Sequence, residues 1–122
     1  MPIAFKQVPF SVERVPMSGP FYKEVPFTIR GDIRRDTKGR PVFDVALQSF
    51  SLEVMYDGNP HHCSMSLDQI ALEIGESKNT DDDGVVKLTI WRRNHPNDAR
   101  NSPPWGFRGT VTALVIADLK SS

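Results

Sequence analysis

The sequence predicts an all-β protein, an antiparallel β-sandwich with an extended, proline-rich N-terminal arm. Three observations predict it. From residue 42 onward apolar side chains recur with period two, as in strands that rest one face on a core. No stretch sustains helical periodicity; Ser66 to Glu73 offers at most one short turn. Five of the ten prolines, at 2, 9, 16, 20 and 26, fall in the first 26 residues, where backbone is extended but lacks donors for a central strand. A length of 122 residues allows one domain with one modest core. The expected division is an arm at 1–28 and a sandwich at 29–122.

The arm contains a repeated phrase. Phe5-Lys6-Gln7-Val8-Pro9-Phe10 returns as Tyr22-Lys23-Glu24-Val25-Pro26-Phe27. Two copies are too few for a solenoid. Aromatic and β-branched neighbours favour extended backbone, so the phrases read as edge-type segments joined by a turn at Met17-Ser18-Gly19-Pro20. They are either two edge strands of one domain or an arm laid across a neighbouring subunit, since open edges invite pairing. In the second case Phe5, Pro9, Phe10, Tyr22, Pro26 and Phe27 are the assembly residues.

In the body, Phe43, Val45 and Leu47 share one phase, and Phe50, Leu52, Val54 and Tyr56 share the other. The change near Gln48-Ser49 predicts a bulge or a strand that changes sheet. Asp57-Gly58-Asn59-Pro60 is a turn signal. Cys63, Met65 and Leu67 then give way to Ile70, Leu72 and Ile74, with a second phase change near Asp68-Gln69. Gly75 to Gly84 is a polar loop, Val85 to Trp91 a strand, 92–109 a long connection and Thr110 to Leu119 the closing strand.

The run Arg40-Pro41-Val42-Phe43-Asp44-Val45-Ala46-Leu47, the hairpin into Cys63-Ser64-Met65-Ser66-Leu67, the strand ending at Trp91 and the strand Val111 to Ala117 resemble the H-type lectin domain over about residues 40–118. The resemblance implies a six-stranded antiparallel sandwich that associates, commonly as trimers, and binds sugars such as N-acetylgalactosamine. The family places a tryptophan before an alanine near the end of its last strand. Here Ile116 precedes Ala117, and no sugar-binding residue is carried over.

Fifteen basic and fifteen acidic side chains cancel in sum but not in order. Residues 1–40 hold eight basic and four acidic side chains, 41–83 one and nine, and 84–122 six and two. A zero sum excludes a dedicated nucleic-acid binder, which rests on surplus Lys and Arg. The segregation either cancels on folding or brings acidic and basic faces of neighbouring copies together. One cysteine cannot close an intrachain disulfide, no apolar run reaches membrane-span length, and no signal peptide is seen. A virion or the cytoplasm is the expected setting.

Among candidate sites, the 92–109 connection is the richest. It gathers Trp105 and Phe107 with Arg92, Arg93, His95, Arg100 and Arg108. An aromatic plane beside polar groups suits a sugar, Trp with Arg suits a protein interface, and Trp105 over an open sandwich end would make an internal clasp. In the acidic loop, Glu76, Asn79, Asp81 and Asp83 are hard oxygen donors of the kind calcium prefers, but the EF-hand pattern is absent and Lys78 sits inside. A solvated turn is expected and no metal is assigned. His61 and His62 are adjacent, so on a strand they point apart and do not converge with Cys63 on one ion. No nucleophile elbow, P-loop, dinucleotide fingerprint or HExxH is present.

The expected function is therefore non-enzymatic and needs no cofactor. The chain reads as a self-associating structural β-sandwich, with itself and other structural proteins as partners, set as a phage head-decoration or tail-associated component. The alternative is a glycan-binding lectin of H-type-like architecture.

Overall fold

The computed structural model describes residues 2–16, 20–62, 67–92 and 99–120, with the side chains of Arg14 and Pro16 left aside. Seven strands form two antiparallel sheets: β1 (Ile3–Pro16), β2 (Phe21–Phe27), β3 (Phe43–Tyr56), β4 (Asn59–His61), β5 (Leu67–Gly75), β6 (Gly84–Arg92) and β7 (Trp105–Asp118). One sheet has the order β1-β7-β3-β4, the other β2-β6-β5. The fold is an all-β sandwich.

Strand alternation builds the core. Val8, Phe10 and Val12 of β1 face inward beside Val111, Ala113, Val115 and Ala117 of β7. Val86, Leu88 and Ile90 of β6 close the core from the second sheet. Every one of these side chains is removed from water, the dominant favourable term in folding. Both phase changes in the sequence are bulges. The registers shift between Leu47 and Ser49 in β3 and between Leu67 and Gln69 in β5. Neither strand changes sheet there, and Ser66 to Glu73 yields strand from Leu67 onward.

The two repeated phrases are edge strands of this one sandwich. β1 lies on the outer side of β7, and β2 on the outer side of β6. Phe10 and Phe27 are core residues, and Ile29 joins the same core beyond the expected boundary at residue 28. The prolines fit because Pro9 and Pro26 sit on edge strands, where a missing donor can face solvent. The connecting residues 17–19 lie outside the described residues.

The closing strand is longer than its composition suggests. β7 begins at Trp105 rather than Thr110, because Gly106 and Gly109 read as turn formers but serve close strand approach. Gly109 has φ +156°, and a Cβ there would fall 1.9 Å from the Ser51 carbonyl oxygen of β3. Only glycine fits that contact.

Candidate functional site

The residues of the 92–109 connection are dispersed rather than gathered. Phe107 is 1% exposed and belongs to the core, so it is withdrawn from any ligand or partner. Arg92 follows the inward phase of β6 and is buried, its Nη2 donating to Asn101 Oδ1 at 2.6 Å. Asn101 closes the 3-10 turn Ala99–Asn101, which also carries Arg100, half-buried. This bond ties the 3-10 turn to the end of β6. Arg108 takes the opposite phase from Phe107, lies on the outer face and donates from Nε to Glu53 Oε1 at 2.8 Å. Arg93 and His95 lie outside the described residues, as does Cys63.

Trp105 instead meets rings from β3 and β4. Its ring packs edge-on with Tyr56 at 4.8 Å and with His61 at 4.9 Å. Pairing of Tyr56 with Trp105, and of Val54 with His61, sets the three rings on one face. The turn signal at 57–60 announced the hairpin, but the cross-strand register that joins these rings is a tertiary property.

The acidic loop is engaged by the chain itself. Asp83 Oδ2 accepts from the Ile29 N–H at 2.6 Å, and the Asp83 N–H donates to the Phe27 carbonyl at 2.9 Å. Asn79 Oδ1 accepts from the Asp81 N–H at 3.0 Å. The two Asp83 bonds tie the loop to the end of β2, and the Asn79 bond closes a turn within it. Among the described residues no group of three or more His, Cys, Asp or Glu side chains is placed to hold a metal ion. Asp36 makes a similar turn, accepting from the N–H groups of Arg40 and Lys38. These bonds, the one from Arg40 first, hold its carboxyl below the usual carboxylate range.

Part of the charge segregation cancels within the molecule. Arg34 of the first basic segment pairs with Asp118 of the third segment at 2.7 Å, and Arg108 pairs with Glu53 of the acidic one.

The remaining arm residues divide by face. Phe5 and Tyr22 are 65% and 55% exposed on the outer faces, whereas Phe10 and Phe27 are interior. The two flanks of the sandwich also differ. On the β1/β2 flank, Lys23 pairs with buried Leu88 and so points inward. Its Nζ bridges to the Ser11 carbonyl of β1 at 3.1 Å. Pro9, Pro26 and a bulge between Val12 and Val15 add to this edge. Proline, inward lysine and bulges are the devices by which native sheets prevent edge pairing.

The β3/β5 flank has one such device on each strand, the bulge, and no proline or basic residue in β3 or β5. β4 covers only Val54–Tyr56, so among the described residues Phe43–Glu53 has a strand neighbour on its β7 side alone. Leu47 pairs with buried Ala113 and Phe50 with buried Val111, so both face inward. Yet Leu47 is 41% and Phe50 50% exposed. Ile70, Leu72 and Ile74 of β5 are likewise only partly covered. The seam opens at one end into a cleft of about 250 Å³ floored by Phe43, Pro41 and Ile74, with Arg40, Glu76 and Asp83 at its rim. Period two gives Leu47 and Phe50 opposite phases across the bulge, and their exposure is a property of the packing that the pattern does not record.

Comparison with protein-family models, curated proteins and solved structures finds no match to the chain.

Proposed function

We propose that this protein is a non-enzymatic structural β-sandwich that associates with copies of itself, as a head-decoration or tail-associated component of a phage particle. The observation that carries the self-association is the β3/β5 flank, where Leu47 and Phe50 occupy inward positions and yet stand about half exposed. A seam of inward-phase apolar side chains left open to water gains free energy when a second protein surface closes it. The opposite flank carries proline and an inward lysine as well as a bulge, so the two sides are guarded unequally against pairing. Other structural proteins of the particle are further partners in this reading.

Light scattering on the intact chain tests it. The wild type is expected to run as an oligomer at tens of micromolar, and Leu47→Lys/Phe50→Lys as a folded monomer. For anchors of this kind the loss is about 2 kcal/mol or more of association free energy. A wild-type chain that is monomeric throughout that range overturns the proposal.

A second reading has its own observation. The ring cluster Tyr56–His61–Trp105 offers the aromatic surface on which a sugar stacks through its C–H face. In that reading the chain is a glycan-binding lectin, and Trp105→Ala removes binding on a glycan array while leaving assembly intact. An array silent for the wild type disposes of it.

A further inference from the structure

We infer that the cleft between the start of β1 and the segment after β2 binds a small organic phosphate monoester, its phosphate held by Lys6 and Arg30 and its apolar part resting against Phe5. The site is independent of the β3/β5 seam and of self-association.

The cleft has a volume of about 540 Å³ and is lined by Ala4, Phe5 and Lys6 of β1 and by Thr28, Ile29 and Arg30, which follow β2. A space of that size suits a small ligand. Lys6 pairs with buried Val115, so it takes the inward phase of Val8 and Phe10, yet its side chain is exposed. Further along the same flank Lys23 also points inward, and its ammonium is spent on the Ser11 carbonyl. Lys6 makes no such bond among the described residues.

Charge decides what the cleft accepts. Arg34 pairs with Asp118, Arg40 with Asp36 and Arg108 with Glu53. Arg35 donates to the Gly39 carbonyl, Arg92 to Asn101, and Arg100 is engaged as well. Among the arginines whose side chains are described, Arg30 alone has neither a hydrogen bond nor an ion pair. No carboxylate lines the cleft with it. Two uncompensated cations in one concavity raise the local concentration of anions. A phosphate monoester carries about two negative charges near neutral pH, which matches them. The guanidinium fork meets two phosphate oxygens at once, and the ammonium adds a point charge. Thr28 supplies a hydroxyl, while Phe5, 65% exposed, with Ala4 and Ile29 offers apolar surface to an organic group.

The wall that carries Arg30 is fixed in advance. Ile29 is buried, and its N–H donates to Asp83 Oδ2 at 2.6 Å. Gly31, at φ +115°, turns the chain against the Leu119 side chain. Backbone held on both sides of Arg30 lowers the ordering cost of binding.

Calorimetric titration of the full chain with phenyl phosphate near neutral pH and at low salt tests the inference. Saturable binding is expected, at least about tenfold tighter than that of inorganic phosphate. Arg30→Gln and Lys6→Gln, both at exposed side chains, should each weaken it about tenfold or more. Phe5→Ala should erase the advantage over inorganic phosphate. Lys38→Gln, an exposed cation outside the cleft, should leave binding unchanged. Absence of saturable binding up to about 10 mM overturns the inference. So does binding that Arg30→Gln and Lys6→Gln leave intact, or that Lys38→Gln weakens equally. Equal affinity for inorganic phosphate, unmoved by Phe5→Ala, overturns the organic ester as the ligand.

Discussion

The two flanks of this sandwich are made of the same material, edge strands with apolar inward faces, and differ in how they end. On the β1/β2 side the strands reach far enough to bury Val8, Phe10, Val12 and Phe27, and Lys23 spans the gap to the Ser11 carbonyl. On the β3/β5 side the inward residues Leu47 and Phe50 stay about half exposed. The lesson is that a closed flank needs both length of overlap and a polar group that terminates it. Inward phase alone does not bury a side chain.

The largest effect expected from breaking this contrast is on stability. Phe10→Ala should cost about 3–5 kcal/mol in chemical denaturation, as for a fully buried aromatic. Phe50→Ala, at the corresponding inward phase of the other flank, should cost on the order of 1 kcal/mol or less when measured at concentrations where the chain is monomeric. Equal losses would mean that the open flank is covered in the isolated chain.

A smaller effect is expected from removing the guards. Pro9→Val/Lys23→Val restores a ladder donor and deletes the inward charge, so the β1/β2 edge should begin to associate. Dynamic light scattering should then report species larger than those of the wild type, with unfolding free energy changed by about 1 kcal/mol or less. If particle size stays unchanged, these residues are not what keeps that edge free.

The smallest effect separates two kinds of attraction. If acidic and basic faces of neighbouring copies met, added salt would weaken association by screening. The β3/β5 strands carry no basic residue, and Glu53 is already paired with Arg108 of its own chain, so association through that flank brings no opposite charges together. Association measured from low salt to about 0.5 M should therefore hold steady or strengthen severalfold. A steep weakening would return the interface to the charged segments.

Much of the fold was legible because period two records which way a side chain points. It located β3, β5 and β6 and both of their bulges, since a bulge leaves a phase change that can be read directly. It misread the start of β7 at Trp105, because Gly106 and Gly109 look like turn residues and act as close-approach residues against β1 and β3. It also could not choose between an arm and edge strands for residues 1–28, since proline marks both. The site was less legible. Trp105 stood out by type, but its partners Tyr56 and His61 come from cross-strand register. Phe107 looked like its companion and is core, two residues along the same inward phase.

The position of β7 has a consequence for how the chain reaches this structure. Sheet β2-β6-β5 draws on residues 21–92 alone, whereas β1 and β3 are joined only through β7, residues 105–118. The β1–β7 ladder connects Ile3 with Asp118, a contact between residues far apart along the chain. Such non-local closure makes folding slow, on the order of milliseconds to seconds. While β7 is undocked, β3 lacks its main strand partner, and such an unpaired strand is exposed to premature pairing. Refolding at high concentration should therefore lose material through β3 first, and Leu47→Lys/Phe50→Lys should refold in better yield than the wild type.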